Sequence, residues 1–471
     1  MDRTSGRLLG RVRRYTRVGG AAGTLGLRVA LDRLRGRETD RAALAGVLGQ
    51  LLGGLKGPVM KVAQLLAALP GVLPRELAAE LATLQSAAPP MGRAFVRRRM
   101  AMELGPDWQR HFAHFAFEAA AAASLGQVHR ARDREGRALA VKLQYPDMAS
   151  VIAADLRQLD LLLALLRRYE GGIDPRELRA ELEERLHEEL DYAREARHIR
   201  LFGHILRQVP DVRVPGVRPT LSSARLLTME WLEGRPLIDF ADAPEATRTR
   251  LATALFRAWY LPLYRAGVLH GDPHPGNYTV APSARLNLLD FGCVRIFSPR
   301  FVAAVIALYR ALAEDDRERA VAAYESWGFR GLSRAQIEAL NVWARFLYEP
   351  LLDDRRRLIG DPATPMERGA AAIAEVRRRL AESGPVTPPR AFVLMDRSAL
   401  GLGGIFLRLG AKVNWHRLFE ELIADFSPDA LAARQREALA AAGLAPPDAR
   451  DRRPARGAQE ESAGQEPEQD E

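Results

Sequence analysis

HGDPHPGN at 270–277 and LLDFG at 288–292 are the two short runs that decide how the rest of the chain is read. Asp272 and Asn277 stand five residues apart, and Asp290 opens an Asp-Phe-Gly turn behind an apolar strand pattern. Two carboxylates and an amide at this spacing suit phosphoryl transfer, in which a protein positions two oxygens in line and neutralises phosphate charge. A carboxylate at Asp272 can orient an attacking hydroxyl or water. The Asn277 amide oxygen and the Asp290 carboxylate are hard donors of the kind magnesium takes, with water in its remaining positions. His270, Asp272 and His274 also alternate as a transition-metal site can. Zinc sites draw on more His or Cys ligands, and this chain has nine His and one Cys. The two histidines read instead as braces for the loop, their ring nitrogens bonded to backbone.

Such a loop requires a lysine on a strand, paired with a carboxylate on a helix. ALAVKLQ at 138–144 supplies Lys142 between Val141 and Leu143, and a turn at Arg134–Gly136 joins it to a preceding strand over Gln127–Ala131. Pro175 opens one long helical pattern that Gly203 can cap. On it Glu188, Asp191 and Glu195 share a face at i, i+3 and i+7. Glu195 is the expected partner of Lys142, while Glu181, Glu183 and Glu184 fit a solvated face.

Ahead of the lysine strand there is no G-x-G-x-x-G; AAAAASLGQVH at 119–129 takes its place. Read as a phosphate loop rather than as helix, it offers Ala121, Ala122, Ala123, Ser124 and Gln127 to a nucleotide. Alanine Cβ atoms hold the backbone further from phosphate than glycine does, so the grip on a triphosphate differs. LLTMEWLEGRPL at 226–237 reads as a strand passing into a linker, with backbone at Glu230 and Trp231 facing an adenine ring and Met229 behind it.

The remainder is organised around these motifs. Residues 1–38 form a basic segment rich in arginine, suited to an anionic lipid surface or to a plain solvated face. Only Tyr15 interleaves its arginines, so nucleic acid is not an expected partner. Residues 39–90 read as three helices, the last carrying Leu77, Leu81 and Leu84 on one stripe. A mixed region follows over 91–233, then a mainly helical one over 234–442. The tail 443–471 is nearly free of apolar residues and cannot offset its ordering entropy. The apolar runs Leu161–Leu166, Phe301–Leu308 and Ala399–Leu407 fall short of the roughly 20 residues a membrane-crossing helix needs. Apolar residues at 47% place the chain among globular proteins. The lone Cys293 permits no internal disulfide, points to a reducing compartment, and reads as a small buried residue. No secretory signal is expected; the arginine-rich start resembles a transit peptide, a likeness weakened by the same Arg/Ala bias throughout the chain.

With these residues in hand, the chain resembles the coenzyme-Q atypical kinases of the UbiB/AarF type from about Gly57 to about Phe426. Four motifs match in order: KVAQ at 61–64 for K-x-G-Q, the alanine-rich loop, ELDYAREA at 189–196 for an E-x-D helix, and HGDPHPGN with Asp-Phe-Gly. The resemblance implies an α+β, two-lobed protein-kinase-like fold with an added N-terminal helical segment over the active site. It also implies regulatory roles for Lys61 and Gln64 on that segment, and the E-x-D role for Glu189 and Asp191. Ala63 replaces the usual glycine, and as a good helix former it is expected to keep Lys61 in direction.

The function so implied is an atypical kinase or ATPase using ATP (or ADP) with Mg2+, supporting ubiquinone biosynthesis or lipid homeostasis. The expected setting is cytoplasmic with peripheral contact at the inner membrane, and the candidate partners are quinone-precursor lipids and proteins of quinone biosynthesis. Two other readings share the motifs: a small-molecule phosphotransferase of the aminoglycoside or choline kinase type, and a nucleotide-gated lipid-binding protein without transfer. The KVAQ run and the alanine-rich loop separate the first reading from the family.

Overall fold

The computed structural model describes residues 91–446, apart from 124, 149, 151, 154–155, 157–182, 185, 361–364, 385 and 387. The basic segment 1–38, the helices expected over 39–90 with Lys61 and Gln64, Ser124, the beginning of the helix that Pro175 opens, and residues 447–471 lie outside the described residues. Contacts divide the chain into two compact units. One holds the described residues up to Ala196 with Pro215–Leu232; the other holds Arg197–Val214 with the described chain from Glu233 onward.

In the first unit, helix α1 (Arg93–Leu104) and a 3-10 turn at Trp108–His111 lead into strands β1 (Phe112–Ala123), β2 (Gly126–Asp133) and β3 (Ala138–Gln144). Chain order then gives α2 (Tyr192–Ile205), β4 (Val212–Arg213), which belongs to the second unit, and β5 (Leu226–Glu230). An antiparallel sheet runs β1-β2-β3-β5. β3 has a neighbour on each side and is buried on both faces, which suits its near-continuous apolar run. Leu139, Val141 and Leu143 join Val96, Met100, Trp108 and Phe112 in one core. Trp108 anchors it, with the rings of Phe112, Phe115 and Phe117 edge-on at 5.1–6.2 Å.

Two expectations change here. The alanine run is neither open loop nor helix as far as Ala123. It ends β1, pairing Ala121 with Val128, Ala122 with Gln127 and Ala123 with Gly126, after register shifts earlier in the strand. Pairing with β2 satisfies its backbone groups, and that requirement overrides alanine's helical preference. The single helix expected across 175–203 is broken at Asp191. Residues 186–190 are helical, Asp191 is not, and α2 restarts at Tyr192 and runs past Gly203 to Ile205. Asp191 Oδ1 accepts the Arg194 N–H at 2.9 Å, so a residue read as part of a helix face serves as an N-cap. Glu188, Asp191 and Glu195 therefore do not share one face of one helix.

The second unit begins its own run with β6 (Arg235–Pro236), helix α3 (Glu245–Ala266), β7 (Val268–His270), β8 (Tyr278–Val280), β9 (Leu286–Leu288) and β10 (Val294–Ile296). Helices α4 (Pro299–Glu314), α5 (Arg317–Trp327), α6 (Arg334–Tyr348), α7 (Pro365–Ser383), α8 (Arg390–Leu409), α9 (Trp415–Ile423) and α10 (Pro428–Ala442) follow. Side chains of Ser298, Asp316, Ser333, Asn414 and Ser427 each cap the helix they precede. The strands form a sheet ordered β4-β9-β8-β6 and a separate antiparallel pair of β7 with β10. α3 is the central apolar support, burying Leu251, Leu255, Phe256, Trp259 and Leu263. Among the described residues no helix is long and apolar enough to cross a membrane.

Candidate active site

In the first unit, Lys142 lies on interior strand β3, and its Nζ is 2.8 and 2.9 Å from the two oxygens of Glu195 in the first turn of α2. Both side chains are nearly buried, at 10% and 3% exposure, so each charge depends on the other. The ring of Tyr192 lies beneath the same ammonium at 5.0 Å. Glu188 of the preceding helical residues pairs with Arg194 at 2.6 Å. Glu189 and Asp191 flank Leu190, whose carbonyl accepts from Gln144 Nε2 at 2.9 Å.

The hairpin ahead of Lys142 presents Ala121 and Ala122 exposed and Ala123 half-buried. Gln127 behaves otherwise. Its side chain is buried, its Oε1 accepts the Met91 N–H at 2.7 Å, and its Nε2 lies 2.8 Å from His129 Nε2. His129 Nδ1 in turn lies 2.8 Å from the Ala116 carbonyl, and burial lowers the histidine's pKa against the opposing backbone bonds. Gln127 is thus engaged inside the sheet, and only its backbone lies on the hairpin.

At the end of β5, the Glu230 N–H donates to Gly216 O at 2.8 Å and the Trp231 N–H to Ala138 O at 3.0 Å. Both N–H groups are thus bonded to neighbouring backbone, so a contact of this backbone with an adenine ring is not made through them. The Arg130 guanidinium lies over the Trp231 indole at 5.0 Å.

In the second unit, the pairing of Val294 with His270 sets the two motif loops side by side. His270 is buried among Phe202, Trp259 and Phe291, with ring centroids 5.5–5.8 Å away. Its Nδ1 accepts the Asp272 N–H at 3.4 Å, which leaves Nε2 to carry the proton and donate to the Asp290 carbonyl. The bracing role read from sequence has this geometry. His274 accepts the Gly276 N–H at 3.0 Å through Nδ1.

Asp272 is fixed from several directions. Oδ1 accepts the His274 N–H at 3.2 Å, and Oδ2 accepts from Asn277 Nδ2 at 3.1 Å. Asn277 Nδ2 also donates to the Asp272 carbonyl at 3.2 Å. With the nitrogen so turned, Oδ1 is the Asn277 atom left to bind a cation. The Leu289 N–H reaches the Asn277 carbonyl at 3.1 Å, so the β8–β9 hairpin joins Asn277 to the approach of Asp290. Asp290 Oδ1 accepts the Gly292 N–H at 2.9 Å. An amide oxygen and carboxylates form a donor set that fits magnesium and lacks the nitrogen and sulfur that zinc prefers.

Three supports were not read from the sequence. Tyr278 donates to the Asp272 carbonyl at 3.4 Å and accepts from Trp259 Nε1 at 2.9 Å. Burial holds its phenol protonated well above the usual range, the Trp259 hydrogen bond opposes this, and the charges of Asp272 and Asp290 add to it. Gly271 sits where a Cβ would fall 2.6 Å from the Cys293 carbonyl oxygen, so only glycine lets the two loops approach this closely. His198 Nδ1 lies 3.0 Å from the Phe291 carbonyl, holding the Asp-Phe-Gly turn to α2. The helical spacing of Phe256, Trp259, Tyr260 and Tyr264 along α3 was the available signal for Trp259, but its partner lies in another element.

These are the parts of a protein-kinase-like α+β fold. The chain matches the ABC1 atypical kinase-like domain over residues 83–324, just over half its length. It belongs to that family, in agreement with the resemblance carried by the motifs. Among curated relatives, the mitochondrial atypical kinase coq-8 of Caenorhabditis elegans is 28% identical over 345 residues, 69% of this chain and 44% of the relative. The mitochondrial atypical kinase COQ8B of Rattus norvegicus is 29% identical over 345 residues, 72% of this chain and 64% of the relative. The match therefore spans about half to two-thirds of these relatives' own length. Among solved structures, the complex of Rv3197 with erythromycin from Mycobacterium tuberculosis is similar, with a TM-score of 0.55 and 28% identity. It covers 81% of this chain and 96% of that one.

Proposed function

We propose that the chain is an atypical kinase or ATPase that uses a magnesium nucleotide, and that its activity supports isoprenoid-quinone biosynthesis or lipid homeostasis. The observation that carries the reading is the orientation of Asn277, whose amide nitrogen clamps Asp272 and so reserves its oxygen for a cation.

In this reading Lys142, held extended by Glu195, contacts the nucleotide phosphates. The backbone of Ala121, Ala122 and Ala123 lies along them, and Ser124 has a nucleotide-binding role read from the sequence alone. Asp272 orients the attacking oxygen, fixed by Asn277 and by the peptide N–H of His274. Asn277 and Asp290 hold magnesium, which neutralises phosphate charge when bound. Lys61, Gln64, Glu189 and Asp191 regulate the site, as the resemblance implies. An alanine-lined hairpin favours hydrolysis or nucleotide sensing over transfer to protein, because it covers the phosphates less closely than glycine does. The quinone connection rests on the family and on the names of the relatives, and a lipid surface is the proposed setting.

The test has two arms. Phosphate release from ATP is measured with and without Mg2+, then with liposomes or phenolic lipids added; Mg-dependent release that lipid stimulates is expected. Quinone and lipid profiles of cells lacking the protein are compared after complementation; an unchanged profile rules out the quinone assignment, and absence of Mg-dependent release rules out the enzymatic one.

A further inference from the structure

Helix α8 contains Gly401-Leu402-Gly403-Gly404, three glycines in one turn of an otherwise regular helix of 20 residues. Glycine inside a helix is unfavourable relative to alanine, so each such position calls for a packing reason. Gly403 and Gly404 show none of this kind among the described residues, where a Cβ at either would meet nothing within 4 Å. Gly401 differs. A Cβ there would fall 2.3 Å from Cγ and 3.0 Å from Cβ of Pro273.

Pro273 directly follows Asp272. Its ring restricts the backbone of the residue before it, so displacing the ring displaces Asp272. Among the described residues, Asp272 is otherwise held by short-range bonds from its own loop and from Tyr278. α8 thus gives that loop a surface from a distant part of the chain. The helix is itself secured at its carboxyl end, where Arg248 Nη1 donates to the carbonyls of Leu409 at 3.1 Å and Gly410 at 2.6 Å.

We propose that Gly401 is a positioning residue: the bare backbone of α8 at Gly401 is the seat of Pro273 and sets the placement of Asp272. The proposal rests on the reading of Asp272 as the residue that orients the attacking oxygen. Loop seating is nonetheless measurable without turnover.

The test uses the full chain and the variants G401A, G403A, G404A, P273A and G401A/P273A. It reads Mg-dependent phosphate release from ATP and hydrogen exchange over residues 271–277. G401A lowers kcat about ten- to a hundredfold, the size expected for a misplacement near 1 Å, while KM for ATP is retained. It also speeds exchange in the loop. G403A and G404A, which gain the same helix propensity, change neither. P273A leaves α8 untouched and loosens the same loop by removing the ring. In the double variant the added methyl fills the space the ring vacates, so exchange slows and kcat recovers relative to G401A. The proposal is overturned if G401A behaves like G403A and G404A, or if the double variant is no better than G401A in both measurements. A wild type without phosphate release contradicts the enzymatic reading instead, and the exchange data still decide the seating of the loop.

Discussion

The side-chain nitrogen of Asn277 lies 3.1 Å from Oδ2 of Asp272 and 3.2 Å from the carbonyl oxygen of the same residue. One amide therefore fixes a carboxylate and its backbone together, and its own oxygen is turned away from both. A hydroxyl or a second carboxylate at position 277 cannot reproduce this arrangement.

Substitution of Asn277 tests that division of labour. Asn277→Ala removes both the clamp and the cation donor, and Asn277→Asp keeps an oxygen donor but sets a like charge against Asp272. Both are expected to lower kcat for Mg-dependent phosphate release by about a hundredfold or more, in the range for loss of a preorganised donor. Asn277→Asp keeps more of the affinity for Mg2+ than Asn277→Ala, measured by Mg2+ titration of nucleotide binding.

The pair of Lys142 and Glu195 makes a prediction about stability. Because both side chains are nearly buried, Glu195→Ala leaves an unpaired ammonium and should cost about 3–5 kcal/mol. Lys142→Met with Glu195→Leu removes both charges and should recover most of that loss without restoring activity. Denaturant unfolding of the single and double variants provides the comparison.

Asp396 on α8 gives a pH dependence. Its Oδ1 is shielded from solvent and has no hydrogen-bond partner among the described residues, although the residue as a whole is only half-buried. Burial pushes its pKa up to about 7, against the lowering effect of the Trp343 Nε1–H bond at 2.8 Å. The folded state thus binds the proton more tightly than the unfolded chain, whose carboxyl titrates at about 3.9. Stability is fully present below pH ~4 and falls as pH rises through the folded value of about 7. The loss is on the order of 1–3 kcal/mol, allowing for partial solvation. Asp396→Asn should flatten this slope and unfold at higher denaturant than wild type at pH 8.

Much of the site was legible because its chemistry is local. Asp272, Asn277 and Asp290 sit in two short runs, and the near-continuous apolar run around Lys142 gave the strand directly. The Lys142–Glu195 pair was read by choosing among the several carboxylates of the helical pattern that follows the strand lysine. Three features were not legible. Asp191 could not be recognised as a cap, because a helix-periodic acidic run looks the same with or without a one-residue break. The alanines were read as an open loop because nothing local shows the β2 edge that pairs with them. The Glu230 and Trp231 amides are bonded to Gly216 and Ala138, partners that sequence distance conceals. Gly401 offered a signal, an unfavourable residue inside a helix, but nothing local names Pro273 as its partner.

The most direct test of the central claim is Mg-dependent phosphate release from ATP by the full chain and by its Asp290→Asn variant. Asn keeps the size of the side chain and can still accept the Gly292 N–H, so the turn should hold while the charge that faces the cation is lost. The account predicts a loss of about a hundredfold or more in the variant, with an unchanged unfolding midpoint. Full hydrolysis by Asp290→Asn would contradict the assignment of Asp272, Asn277 and Asp290 as the magnesium–phosphate site.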